Sequence, residues 1–369
     1  MKKSYGFPKM NKEIEEVRAF LPSFFRELKE ANIDIWLENN YGEEMGLSED
    51  DYLKENKHIN FVKRDIVFSK DVVVVLRTPE SEDLKKMKSG SILVSMLHYI
   101  TRESRNLLMK RLGIISFSMD SMIDDDNRRV VVNFYETAFS GAQQALNKLE
   151  INLENKSLNR PVNVVIIGIG VIGLTVAKAF KDLSNEKFYK LNEEYGGLKI
   201  TLLTRSMTGN SNLFRDELKK ADILVDASSR KDTSKYIVTN QDLKELPLHS
   251  IILDITADPY DFKKEPHQVK AIEGIPTGTL DQLVFKTDDR AYDEINNFMN
   301  TINRRLVVSC NAWPGVNPIV SMKLYGRQLL PILRVLINKE HEQLSVDSKN
   351  YYERILARSS YEYFENYMS

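Results

Sequence analysis

Residues 162–173 read Val-Asn-Val-Val-Ile-Ile-Gly-Ile-Gly-Val-Ile-Gly, an apolar β-branched run that feeds directly into a glycine-rich turn. The spacing Gly168-x-Gly170-x-x-Gly173 is that of a dinucleotide-binding turn. Gly168 permits the tight passage from strand to helix, Gly170 lets backbone approach a pyrophosphate, and Gly173 allows the following helix to pack closely. Phosphates would rest on the amino-terminal amides of that helix, whose apolar positions Leu174, Ala177 and Phe180 keep a helical period. Val171 and Ile172, inside the turn, belong to the same cofactor-binding set.

Outward from this turn, further strands are predicted at 199–204, 222–226 and 250–255, each separated from the next by a segment of crossover length. The stretch from Ser184 to Gly197 is polar and charged, and is expected to be a surface insertion. Upstream, residues 134–154 form a long proline-free helical stretch. Before it runs another α/β alternation, with strands near Tyr5–Phe7, at 33–37, 71–76 and 91–97, and a helix over about Pro22 to Ala31. After residues 310–315 the chain turns helical again. At 369 residues it suits two domains. We expect two Rossmann-like α/β domains with a cleft between them: a dinucleotide-binding domain over 139–310, and a substrate domain built from 1–138 plus 311–369.

Composition excludes several classes of function. With 52 basic and 53 acidic residues, nothing points to nucleic acid or an anionic membrane as partner. The single cysteine, Cys310, rules out an internal disulfide and suits a reducing compartment. No signal-type or bilayer-spanning apolar segment is present in the sequence, so a cytoplasmic protein is expected. No metal-ligand spacing is read. The aromatic tail, with Tyr351, Tyr352, Tyr361, Tyr363, Phe364 and Tyr367, suggests a homo-oligomer.

Ligands of open parallel sheets bind beyond the carboxyl ends of the strands, which draws attention to three polar residues closing apolar runs. Arg77 could offer a bidentate fork to a substrate carboxylate, or pair on the surface with Glu80 or Glu82. His98 could act as general acid/base, or cap the helix that follows through Thr101 and Glu103. Asp258 could take part in proton handling, or simply form a turn ahead of Pro259.

Tyr5-Gly6-Phe7-Pro8-Lys9, followed by Glu16-Val17-Arg18-Ala19-Phe20-Leu21-Pro22, resembles the amino-terminal signature of the alanine dehydrogenase and transhydrogenase alpha-subunit family. Saccharopine dehydrogenase (the lysine-forming enzyme) and N5-(carboxyethyl)ornithine synthase are relatives of that family. The likeness continues in order through Leu76-Arg77-Thr78-Pro79, Leu97-His98, Asp254-Ile255-Thr256-Ala257-Asp258 and Trp313-Pro314, and covers most of the chain to about residue 330. It implies that Arg18 and Arg77 hold the substrate carboxylate, that His98 is the acid/base, that Asp258 assists the carbinolamine or imine step, and that Trp313 lies by the nicotinamide. Two departures stand out. Arg77 replaces a lysine and cannot give up its proton, and the segment between Arg18 and Pro22 is one residue shorter than in the family.

Thr204-Arg205-Ser206 follows the second strand of the nucleotide unit, where an NAD enzyme places an acid for the ribose 2′-hydroxyl. An arginine with hydroxyl neighbours suits the 2′-phosphate of NADP, with NAD as the lesser choice; Ala227, closing a later strand, completes the cofactor set. The expected function is an NADP-dependent oxidoreductase acting on a C–N bond, condensing a small-molecule 2-oxo acid with the amine of an amino acid. The alternatives are alanine dehydrogenase and, from another class, a non-catalytic nucleotide-sensing protein.

Overall fold

The computed structural model describes residues 2–10, 18–153, 158, 160–186, 197–256, 260–295 and 299–367. The chain divides into two compact units, Met1–Asn133 with Pro318–Ser369, and Phe134–Asn317. The first crossover therefore falls at the start of the long helix, and the second follows the Trp313 turn.

In the first unit six strands, β1 (Lys3–Phe7), β2 (Ile33–Glu38), β3 (Ile59–Val62), β4 (Val72–Arg77), β5 (Ile92–Met96) and β6 (Ile115–Ser118), form a sheet ordered β3-β2-β1-β4-β5-β6. Every pairing is parallel. Covered on both faces, β4 is apolar from Val72 to Leu76 without alternation. The strand order reverses between β1 and β4, so the crevice of this Rossmann-like unit opens at their carboxyl ends. Phe7, Phe20, Phe24 and Phe25 meet mostly edge-to-face in its core. The returning helix Pro318–Asn338 adds Met322, Tyr325, Leu329 and Leu333 to the same core, at the spacing of one helical face. At the tail, the half-buried Tyr361 and Phe364 pack on Tyr99 of their own unit. Tyr351, Tyr352 and Tyr367 remain exposed.

The second unit is a sheet ordered β11-β12-β10-β9-β7-β8, from β7 (Val162–Ile167), β8 (Leu198–Leu203), β9 (Ile223–Asp226), β10 (Ile251–Asp254), β11 (Val284–Phe285) and β12 (Leu306–Ser309). All pairs are parallel except β11 with β12. The Phe134–Asn152 helix lays Ala138, Ala142, Ala145 and Leu149 on one face of this sheet. At the amino ends of the strands, the buried Asp222 carboxylate accepts two hydrogen bonds from Arg160 (2.6 and 2.9 Å) and one from the Asn163 amide (2.8 Å), with His249 Nε2 at 2.7 Å. Burial alone would raise the Asp222 pKa, but His249 and Arg160 bring it below the usual carboxylate range.

Eight strands agree with the sequence reading to within a residue or two, while β3, β6, β11 and β12 were not anticipated from it. The helix expected over 22–31 stops at Arg26. Ser184, assigned by the sequence to a surface insertion, instead lies in the Val171–Glu186 helix and is buried; residues 187–196 of that stretch fall outside the described residues. Among the described residues no helix is long and apolar enough to cross a membrane.

Candidate functional site

At the carboxyl end of β5 the chain leaves the sheet through Leu97 and places His98 in the left-handed region, φ 50°. For a residue with a Cβ this conformation costs about 1–2 kcal/mol, and neighbouring bonds hold it. The Leu97 amide donates to Ser118 Oγ (3.0 Å), the His98 amide to Asp120 Oδ1 (3.1 Å), and Ser118 Oγ to the same oxygen (2.6 Å). Asp120 Oδ2 then lies 3.4 Å from His98 Nδ1. Burial pushes the Asp120 carboxyl up, but the bonds and charge of His98, with help from Ser118, hold it down at about 2. Asp120 is thus an anion beside the Nδ1 edge of a half-exposed imidazole. Among the described residues the His98 side chain makes no capping bond to the 3-10 turn Tyr99–Thr101, and the helix Glu103–Arg111 beyond it starts from Arg102.

Arg77 is the last residue of β4, half-buried, in register with Met96 of β5. The two strand ends are also joined by Thr78 Oγ1, which donates to the Met96 carbonyl. Of the surface partners the sequence offered Arg77, Glu82 pairs with Lys85 at 2.6 Å and Glu80 faces Arg105 at 3.5 Å. Arg18 is buried at the ends of β1 and β2, in a small hollow with Lys9 and Asn40 and close enough to Tyr325 to act on it electrostatically. Arg18, Arg77 and His98 therefore occupy one edge of one sheet. Asp258 lies outside the described residues.

In the second unit the glycine turn has the geometry its spacing predicts. Gly168 has φ 107°, and a Cβ there would come 2.6 Å from the Ala227 carbonyl oxygen. A Cβ on Gly173 would meet the Gly168 carbonyl oxygen at 2.0 Å, whereas one on Gly170 would meet nothing within 4 Å. The turn is closed where the chain must pack and open where a pyrophosphate would approach. Val171 is exposed and Ile172 half-buried at the head of the Val171–Glu186 helix. A cavity of about 570 Å³ extends from this turn along the ends of β8 and β9, bounded by Thr204, Arg205, Ala227, Arg230 and Lys231. Thr204 caps the short Arg205–Thr208 helix and its hydroxyl lies 2.8 Å from that of Ser206, which leaves Arg205 exposed at the rim. These residues fit a dinucleotide, the glycines by their backbone and the basic rim by its charge.

Several features escaped the sequence reading. Arg230 and Lys231 extend the basic rim. Beneath the β10 end, the wholly buried Asp254 accepts from Lys270 Nζ (2.6 Å), Thr256 Oγ1 (2.9 Å) and Ser309 Oγ (3.0 Å). Trp313 is buried among Ala138, Ala142 and Cys310, and its indole N–H has no hydrogen-bond partner among the described residues. Asp120 could have been sought as a carboxylate closing a strand, but Ile115-Ser116-Phe117-Ser118 is too short and polar to read as one.

Residues 6–138 match the model of the alanine dehydrogenase/PNT N-terminal domain. Over 93% of its length the chain is 18% identical to the NAD(P) transhydrogenase subunit alpha of Haemophilus influenzae, covering 68% of that protein. It is 22% identical to alanine dehydrogenase 1 of Staphylococcus aureus over 65% of this chain and 68% of the relative. An L-alanine dehydrogenase structure superposes with a TM-score of 0.73 at 19% identity, covering 97% of this chain and 94% of the other. The transhydrogenase of Sinorhizobium meliloti gives 0.65 at 16% identity, covering 91% and 94%. At these identities the structural likeness establishes the fold.

Proposed function

We propose, from the match of residues 6–138 to the alanine dehydrogenase/PNT N-terminal domain model, that the chain is an NADP-dependent oxidoreductase that joins a 2-oxo acid to the amine of an amino acid. At the coarser level it is an alanine dehydrogenase-like oxidoreductase that uses a nicotinamide cofactor. The observation that carries the reading is the His98–Asp120 pair, a fixed imidazole on the strand edge that also presents Arg77.

In this reading Arg18 and Arg77 hold the carboxylate of the oxo acid. His98, oriented through Nδ1 by Asp120, gives a proton at Nε2 to the carbinolamine hydroxyl, so that water leaves and an imine forms. Asp258 assists that step. The turn from Gly168 to Gly173 holds the pyrophosphate, Thr204, Arg205 and Ser206 the 2′-phosphate, Ala227 the adenosine side and Trp313 the nicotinamide side. The cofactor, when bound, supplies the hydride that reduces the imine carbon. The replacement of a lysine by Arg77 and the basic rim around Arg205 are what favour the amino acid condensation. The second reading, alanine dehydrogenase, is favoured by the 22% identity to a protein of that name.

The test is NADPH titration followed by 2-oxo acids crossed with ammonia and with amino acids, following loss of the reduced cofactor. Turnover with an amino acid and not with ammonia is expected; turnover of pyruvate with ammonia alone would give the second reading. His98→Asn should keep NADPH affinity yet lower kcat by roughly 10²–10⁴, the usual worth of a positioned proton-transfer group. Unchanged kcat in that variant would return the histidine to a structural part. The same reading takes the protein to be a cytoplasmic homo-oligomer, which gel filtration with light scattering checks.

A further inference from the structure

Arg64 grips Asp83 through Nε (3.1 Å) and Nη2 (2.7 Å) while Nη1 reaches Glu38 (2.8 Å) and the Lys9 carbonyl (2.9 Å), which is what a structural guanidinium looks like. Arg105 is different. Its side chain is only 15% exposed, its Nη1 is buried with no hydrogen-bond partner among the described residues, and its Nη2 lies 3.5 Å from Glu80, at the outer limit of a hydrogen bond. Glu80 is itself half-exposed. A desolvated cation held this loosely is costly, and a ligand that brings its own anion removes the cost. Burial, with Arg102 beside it, already works against the charge of this guanidinium.

Its placement gives that anion an address. Arg105 lies in the helix Glu103–Arg111, the first α-helix after His98, and the neighbouring Asn106 fixes that helix by donating to the Tyr99 carbonyl at 2.8 Å. Glu80, on the other side, stands three residues beyond Arg77 in the loop after β4. The guanidinium thus reaches from the helix that follows His98 to the loop that follows Arg77. We propose that Arg105 is the seat of a second substrate carboxylate, the one borne by the amine partner, with Glu80 swinging into solvent when it arrives. This rests on the condensation reading and narrows it. The amine is an amino acid, and the product is a secondary amine with two carboxylates. In the overall step a 2-oxo acid, the amino acid amine, NADPH and one proton give the secondary amine, NADP⁺ and water; the C–N bond forms as the carbonyl oxygen leaves.

The test compares ligands that differ only in that carboxylate. With pyruvate as oxo acid, the pairs are alanine against ethylamine, ornithine against putrescine, and lysine against cadaverine. Wild type should prefer the favoured amino acid over its decarboxylated partner by roughly 10–100-fold in kcat/KM, the worth of a charge-assisted contact. Arg105→Met should collapse that ratio to near one, chiefly by raising KM for the amino acid, while KM for pyruvate and NADPH stays put. Arg105→Lys should restore part of it. A second arm needs no turnover: calorimetry of the NADP⁺-loaded protein with N5-(1-carboxyethyl)ornithine against N-(1-carboxyethyl)putrescine. If no oxo acid and amine pair turns over but the dicarboxylate still binds better in wild type and not in Arg105→Met, the condensation reading falls and the Arg105 site stands. Equal binding of the two compounds by wild type, or discrimination that survives in Arg105→Met, overturns the proposal. Should Arg105→Met not fold, Glu80→Gln decides: tighter dicarboxylate binding than wild type supports the site, and unchanged or weaker binding overturns it.

Discussion

The three glycines of the nucleotide turn are not interchangeable, and their environments separate folding from binding. Gly168 combines φ 107° with a carbonyl 2.6 Å from where a Cβ would sit, so Gly168→Ala should lower both the melting temperature and NADPH affinity. Gly170→Ala meets no protein atom within 4 Å. Its melting temperature should stay within a degree or two, while NADPH binding weakens about tenfold or more if that space belongs to the pyrophosphate; unaltered binding would move the phosphates elsewhere. Arg205→Asp should shift preference towards NADH, losing a contact of roughly 1.5–3 kcal/mol. Equal use of both cofactors before and after the change would dismiss the 2′-phosphate assignment. At this scale the sequence was most legible where backbone geometry dictates residue type, as at Gly168. It was least legible at Asp120, which meets His98 across 22 residues through a fold that no spacing rule encodes.

Among elements, legibility followed length and burial. The runs β4 and β7 are six residues of mostly β-branched, buried side chains and could hardly be read otherwise. Ile59-Asn60-Phe61-Val62 on the sheet edge and Ile115-Ser116-Phe117-Ser118 are four residues each and mix polar with apolar, so their pairing partners, more than their own pattern, make them strands. The amino ends of β7, β9 and β10 are stapled by a charge cluster the sequence did not announce. Asp222 has a folded pKa below its unfolded one, so it contributes stability that is present above the ordinary carboxylate range, near 4, and is lost as pH falls through the folded value. Asp222→Ala should cost about 1–3 kcal/mol at neutral pH, because it leaves the Asn163 amide without its acceptor while the partly exposed Arg160 turns to water. The loss relative to wild type should shrink in acid. A pH series of urea unfolding measures both, and a difference that stays constant with pH would deny Asp222 this part.

At the scale of the whole molecule, two units with separate cores imply separable folding. A fragment of residues 134–317 carries its own core on both faces of its sheet and should fold and bind NADPH alone. A fragment of residues 1–133 should not fold compactly, since Met322, Tyr325, Leu329 and Leu333 complete its core. It should bind a hydrophobic dye and regain order when residues 318–369 are supplied. A compact, dye-negative fragment 1–133 would refute this. The discontinuity of the first unit also sets a timetable. A ribosome delivers the six strands early, then spends about 10–40 s on the roughly 180 residues of the inserted unit, at 5–20 residues per second, before the helix that seals the first core emerges. For that interval the nascent chain carries one finished, ligand-ready body and one with a bare aromatic face. Slow translation or premature termination after the insert would therefore expose the chain to aggregation far more than any single substitution discussed above, and nucleotide could already be aboard before the partner unit has closed.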